Sequence, residues 1–279
     1  RIKEQLKNIG LDENYKIEIV NSTNKEKREK YVKHLYKRLQ REGQLERDVD
    51  RLVRNDRIAW GASMIACNDA DAMVTGNIRH YAASIEKLKR VTDPRPGEEI
   101  FGMTMITLKG KTILVADTNV QDFPSPERLV KVSKSCVRVA RLFGFDPKVA
   151  FLSHSTFGKP ISKNTKHVRD AIDLLKKEKV DFDFDGEMQP DVALNPIYQE
   201  IYPFSKIVGN ANILIMPALH SAAISTKLMK VFGGGKLIGP LLIGLGSPIE
   251  VAPLRASTSE ILNLASIAAY SSDVIDYSN

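Results

Sequence analysis

From residue 148 onward the sequence keeps one rhythm, and that rhythm constrains the fold more than any composition figure. An apolar stretch at 148–153 is followed by Val168, Ile172 and Leu175 at helical spacing, and a second stretch at 180–184 comes next. Residues 212–216 lead into a helix-spaced run over 218–232, 238–243 are again strand-like, and 250–254 precede a last helical run over 257–270. Short apolar runs alternating with helical ones predict a parallel sheet wrapped by helices. The fold class expected is therefore α/β.

The first half is less regular. Residues 16–20 read as a short strand. Val32, Leu35, Tyr36 and Leu39, then Leu45, Val49, Leu52 and Val53, fall at helical spacing on either side of Gly43, which gives two basic amphipathic helices. Residues 58–67 lead to Asp69-Ala70-Asp71-Ala72-Met73-Val74-Thr75-Gly76, read as a loop lining a cleft and running into a brief strand. Asp93-Pro94-Arg95-Pro96-Gly97 breaks the chain, and residues 101–108 and 112–116 flank Lys109-Gly110-Lys111 as a hairpin. Ser125-Pro126-Glu127 supplies a capping residue, a first-turn proline and an acid at the positive helix end. A long helix then runs through Leu129, Val132, Cys136 and Ala140 to a stop at Gly144.

At 279 residues the chain is long enough for two α/β subdomains with a cleft between them. The expected division is 1–122 plus 250–279 against 123–249. An apolar fraction of 43% and a charged fraction of 27% exclude disorder, collagen-like repeats and small disulfide scaffolds. No apolar run approaches the roughly 20 residues of a membrane span, so no membrane partner is expected. Cys67 and Cys136 lie in apolar stretches without metal or disulfide partners and read as free thiols of a cytoplasmic protein. The chain opens on Arg1 rather than Met, which suggests a piece of a longer polypeptide.

Lys and Arg number 41 against 34 Asp and Glu, a formal +7, with much of the excess in residues 25–57. That balance favours an anionic partner. The basic stretch lacks stacking aromatics and any recognition motif, so a solvated helix face is preferred to a nucleic-acid site. No His, Cys, Asp or Glu cluster has metal spacing; Asp181, Asp183 and Asp185 alternate along a strand and are read as a solvated strand end.

Four blocks in order and spacing resemble the signature segments of the phosphate acetyl/butyryl transferase family. They are the Asp69–Gly76 block above, Phe182-Asp183-Phe184-Asp185-Gly186-Glu187-Met188-Gln189, Ala211-Asn212-Ile213-Leu214-Ile215-Met216-Pro217, and Ile238-Gly239-Pro240-Leu241-Leu242-Ile243-Gly244-Leu245. Within that family the sequence looks most like the C-terminal domain of hybrid NADP-dependent malic enzymes, through Asn77-Ile78-Arg79-His80-Tyr81, His154-Ser155-Thr156-Phe157-Gly158, Tyr202-Pro203-Phe204 and Pro217-Ala218-Leu219-His220-Ser221-Ala222. The resemblance implies an isocitrate dehydrogenase-like pair of α/β subdomains and a homodimer or higher oligomer. It further implies acetyl-CoA or CoA as ligand and a malic enzyme domain upstream. NADP and a divalent metal are expected only in that upstream domain, and no cofactor in this one.

The family's reaction, acetyl-CoA plus phosphate to acetyl phosphate plus CoA, needs cations for the phosphate and a base near the thiol. By ungapped counting the family's phosphate-binding arginine falls at Glu86, its Ser-Arg pair at Pro253-Leu254 and its acid at Glu260, which leaves no catalytic residue in place. Glu86 reverses a charge, worth about 1 kcal/mol in water at about 4 Å and several times that in a drier cleft. Arg255 stands one position from the missing arginine and keeps a cationic role open. Ser257-Thr258-Ser259-Glu260 also fits a capping box, the preferred reading of Glu260. Asp71, Thr75, Gly76 and Arg79 are candidates for contacting acetyl-CoA. Ser155, Thr156, Gly158 and Lys159 form either an anion-holding loop after a strand or a plain capping loop. His154 and His220 read as ordinary histidines, and Gly233-Gly234-Gly235 as a helix stop.

Overall fold

A computed structural model describes residues 2–11, 17–116, 120 and 122–275, with the side chain of Gln199 excepted. Helix α1 (Ile2–Asn8) buries no side chain. It is followed by α2 (Lys25–Leu39), α3 (Glu46–Asn55), α4 (Arg57–Ala66), strand β1 (Met73–Gly76) and α5 (Tyr81–Lys89). Next come β2 (Phe101–Leu108), β3 (Lys111–Ala116), α6 (Pro126–Leu142), β4 (Lys148–Leu152), α7 (Lys166–Glu178), β5 (Asp183–Met188) and α8 (Pro190–Leu194). The described chain closes with β6 (Ile213–Ile215), α9 (Leu219–Phe232), β7 (Lys236–Ile243), β8 (Ile249–Ala252) and α10 (Thr258–Val274).

The rhythm after residue 148 does form a sheet, in the order β5-β4-β6-β3-β2-β7. Strands β5, β4, β6 and β3 run parallel, and β2 and β7 add antiparallel pairs at one side. The β2–β3 turn places Lys109 at φ 50 and Gly110 at φ 77, the two left-handed residues of a type I′ hairpin. Strand β3 also pairs with β6, so the hairpin belongs to the large sheet. The boundary expected at residue 122 therefore falls between strands of one sheet. The reason lies in burial on both sides: Leu114 and Ala116 face one core and Val115 the other, all at 0% exposure. Among the described residues a second sheet is made of β1 and β8, paired in parallel.

Ser125 caps α6 from Oγ to the Arg128 N–H, with Pro126 at the first turn, and the helix buries nine side chains. Helices α6 and α7 cover one face of the large sheet, and α8 and α9 cover the other. Helices α2 to α5 form a separate core around Tyr31, Leu35, Val53 and Leu88, which meets β8 at Ile249 and Val251. Gly43, at φ 80, ends the turn between α2 and α3. Two sequence readings are corrected. Residues 17–20 are irregular, with Ile17 and Ile19 exposed and no strand beside them; Lys16 lies outside the described residues. Asp185 is buried and accepts the Lys206 N–H at 2.7 Å, so only Asp181 and Asp183 are solvated.

Candidate functional site

The parallel β1–β8 pair joins sequence blocks 176 residues apart, Thr75 opposite Val251 and Gly76 opposite Ala252. Past the carboxyl ends of the two strands the backbones stay connected: the Asn77 N–H donates to Ala252 O at 3.2 Å and the Arg255 N–H to Asn77 O at 3.0 Å. Asn77 (φ 66) and Arg255 (φ 58) are both left-handed, a conformation that recurs at functional sites. Gly76 has φ 104, and a Cβ there would lie 2.2 Å from Ala252 O. Only glycine allows this approach.

Of the candidates, Thr75, Gly76, Arg79 and Arg255 are thus brought to one end of the small sheet. Arg79 makes an ion pair with Asp56 at 3.3 Å, and Asp56 also pairs with Lys87. Burial alone raises the Asp56 carboxyl, but Lys87 and the N–H groups of Ala59 and Ile58 outweigh it and hold its pKa below the ordinary range. Asp56 is also the N-cap of α4, so the same carboxylate anchors a helix and neutralises a candidate cation. Asp71 lies apart from this group. It lines a cavity of about 1310 Å³ before β1 and β8, together with Asn68, Ser247 and Arg95.

The positions expected from counting to hold the family's catalytic residues carry side chains with interactions of their own. Glu86 is 74% exposed and pairs with Lys89 on the next helical turn. Pro253 and Leu254 form the turn after β8, with Leu254 exposed. The capping box at the start of α10 is complete, Ser257 and Glu260 bonding reciprocally. Lys230 adds an ion pair at 2.8 Å, and with the Ser257 N–H it holds the Glu260 carboxyl down at about 2.

The 154–160 loop is an anion loop, and its anion is internal. Glu187 Oε1 accepts from Ser155 Oγ at 3.0 Å, from the Gly158 N–H at 2.9 Å and from the Arg169 guanidinium at 3.3 Å. The Phe157 N–H adds a bond to Glu187 O at 2.7 Å, and Glu187 is 1% exposed. Thr156 closes the turn with Lys159 and accepts the Gln189 N–H at 3.2 Å. Ser155 and Gly158 therefore serve a carboxylate of the chain itself, while Lys159 remains at the surface. The sequence left this loop open between holding a ligand anion and plain capping; Glu187 and Arg169 come from two other elements and carried no local signal. His154 and His220 are both exposed. Among the described residues no group of three or more His, Cys, Asp or Glu is placed to hold a metal ion, and no helix is long and apolar enough to cross a membrane.

These features define an α/β protein with loops gathered at the carboxyl ends of parallel strands, the arrangement of ligand-binding α/β folds. The chain belongs to the phosphate acetyl/butaryl transferase family, whose sequence profile matches residues 1–269. It is 44% identical to an NADP-dependent malic enzyme of Rhizobium meliloti over 96% of this chain and 36% of that protein. It is 28% identical to a phosphate acetyltransferase of Clostridium acetobutylicum over 96% of this chain and 82% of the other. A phosphotransacetylase from Streptococcus pyogenes superimposes with a TM-score of 0.87 at 26% identity, over 98% and 83% of the two chains. The chain thus spans about a third of the length of its malic enzyme relatives.

Proposed function

We propose that this chain is a regulatory module that binds acetyl-CoA without transferring the acetyl group, attached to an NADP-dependent malic enzyme whose conversion of malate to pyruvate and CO2 it lowers. One observation supports the loss of chemistry: where counting from the resemblance puts the family's arginine, Ser-Arg pair and acid, Glu86 pairs with Lys89, Pro253 and Leu254 supply neither hydroxyl nor charge, and Glu260 is held by Ser257 and Lys230. The similarity to malic enzymes over nearly the whole chain supports the attachment. Control of this kind requires acetyl-CoA to bind two states of the assembly differently, typically by about 1–3 kcal/mol.

Assembly belongs to the same reading. Ile224, Leu228, Val231 and Phe232 form an exposed apolar stripe along α9, suited to a homodimer. Arg255, next to Asn77 at the strand ends, favours a second reading as an active transferase. Calorimetric titration with acetyl-CoA tests the first reading: saturable binding is expected, and its absence at millimolar ligand overturns the proposal.

A further inference from the structure

The large sheet reverses its winding between β4 and β6. Helix α7, which follows β4, lies on the α6 face, whereas α9, which follows β6, lies on the opposite face. Loops leaving neighbouring parallel strands in opposite directions open a crevice at their carboxyl ends, and ligands of open α/β sheets bind there. Three contacts shape this crevice. His167 of α7 bonds through Nε2 to Pro217 O, just past β6, at 2.9 Å. The Leu219 N–H donates to Asp122 O at 3.1 Å and holds Asp122 at the start of α9. The Phe123 ring lies 4.3 Å from the His167 ring at an interplanar angle of 43°.

Phe123 is 60% exposed although it has this aromatic neighbour. One ring is fixed by a backbone carbonyl and the other rests on it with most of its surface towards solvent. Among the described residues at these strand ends, Phe123 and His167 present an aromatic surface.

We infer that Phe123 and His167 form a stacking platform for a planar adenine ring. The inference rests on the acetyl-CoA reading, whose ligand carries such a ring, and it assigns the adenine to these two residues. Stacking of a base on an aromatic side chain accounts for about 1–3 kcal/mol on alanine substitution, or about 5- to 150-fold in affinity.

The test is calorimetric titration of the wild-type chain, Phe123→Ala and Phe123→Trp with acetyl-CoA, acetyl-pantetheine (which lacks the adenine nucleotide) and AMP. The exposure of Phe123 makes misfolding of the variants easy to exclude by thermal melting. The expected result is weaker acetyl-CoA and AMP binding by Phe123→Ala, by about 10-fold or more, unchanged acetyl-pantetheine binding, and recovery in Phe123→Trp. Equal acetyl-CoA affinity in wild type and Phe123→Ala overturns the platform and leaves the acetyl-CoA reading intact. AMP binding that depends on Phe123, without acetyl-CoA binding, supports the platform and overturns the acetyl-CoA reading. Binding of none of the three probes overturns both.

Discussion

Glu250 shows how one residue ties this fold to pH. It sits on β8 at 4% exposure, accepts the Leu242 N–H at 2.9 Å, and borders a small cavity shared with Arg95 and Arg138. Burial raises its pKa from 4.5 to about 8, against the smaller opposing effect of the Leu242 N–H. The folded state thus keeps a proton that the unfolded chain releases. The stability this contributes is complete below about pH 4.5 and is lost as pH rises through about 8, each unit of separation being worth about 1.4 kcal/mol. In urea denaturation at several pH values, Glu250→Gln is expected to lose the part of the decline due to this group. Identical pH profiles for the two proteins contradict the assignment. At Gly76, alanine is expected to cost at least about 2 kcal/mol in the same assay, because the chain is left-handed and Ala252 O occupies the Cβ position.

At the scale of elements, what could be read in the sequence was what local chemistry decides. Ser125 and Pro126 begin α6, Ser257 and Glu260 begin α10, and Gly43 and Gly233 end helical segments, each by interactions within a few residues. Ser257→Ala is therefore expected to cost about 1 kcal/mol of unfolding free energy, read as a lower urea midpoint with an unchanged slope. The sequence left the 154–160 loop open between an anion-holding loop for a ligand and a plain capping loop, and its internal partner carried no local signal, since Glu187 lies at the end of a different strand and Arg169 on a helix. Residues 17–20 failed in the opposite sense: their apolar alternation suits a strand, yet a strand exists only through pairing, and among the described residues this segment pairs with neither sheet.

For the whole molecule, the α/β class followed from strand and helix alternation, whereas the hairpin's place beside β6 depended on contacts between residues 114–116 and 213–215 that no local pattern encodes. The family frame joins its blocks at the β1 and β8 ends, and the α9 stripe is an exposed apolar face, which the proposed homodimer would cover. Leu228→Glu is expected to shift the mass seen by light scattering towards the monomer; an unchanged mass contradicts the use of that face. The proposed function needs a ligand-binding frame without acetyl transfer, and incubating the folded protein with acetyl-CoA and phosphate while following free CoA thiol tests it directly. No release above the protein-free control is expected, and sustained, phosphate-dependent release would overturn the proposed loss of chemistry.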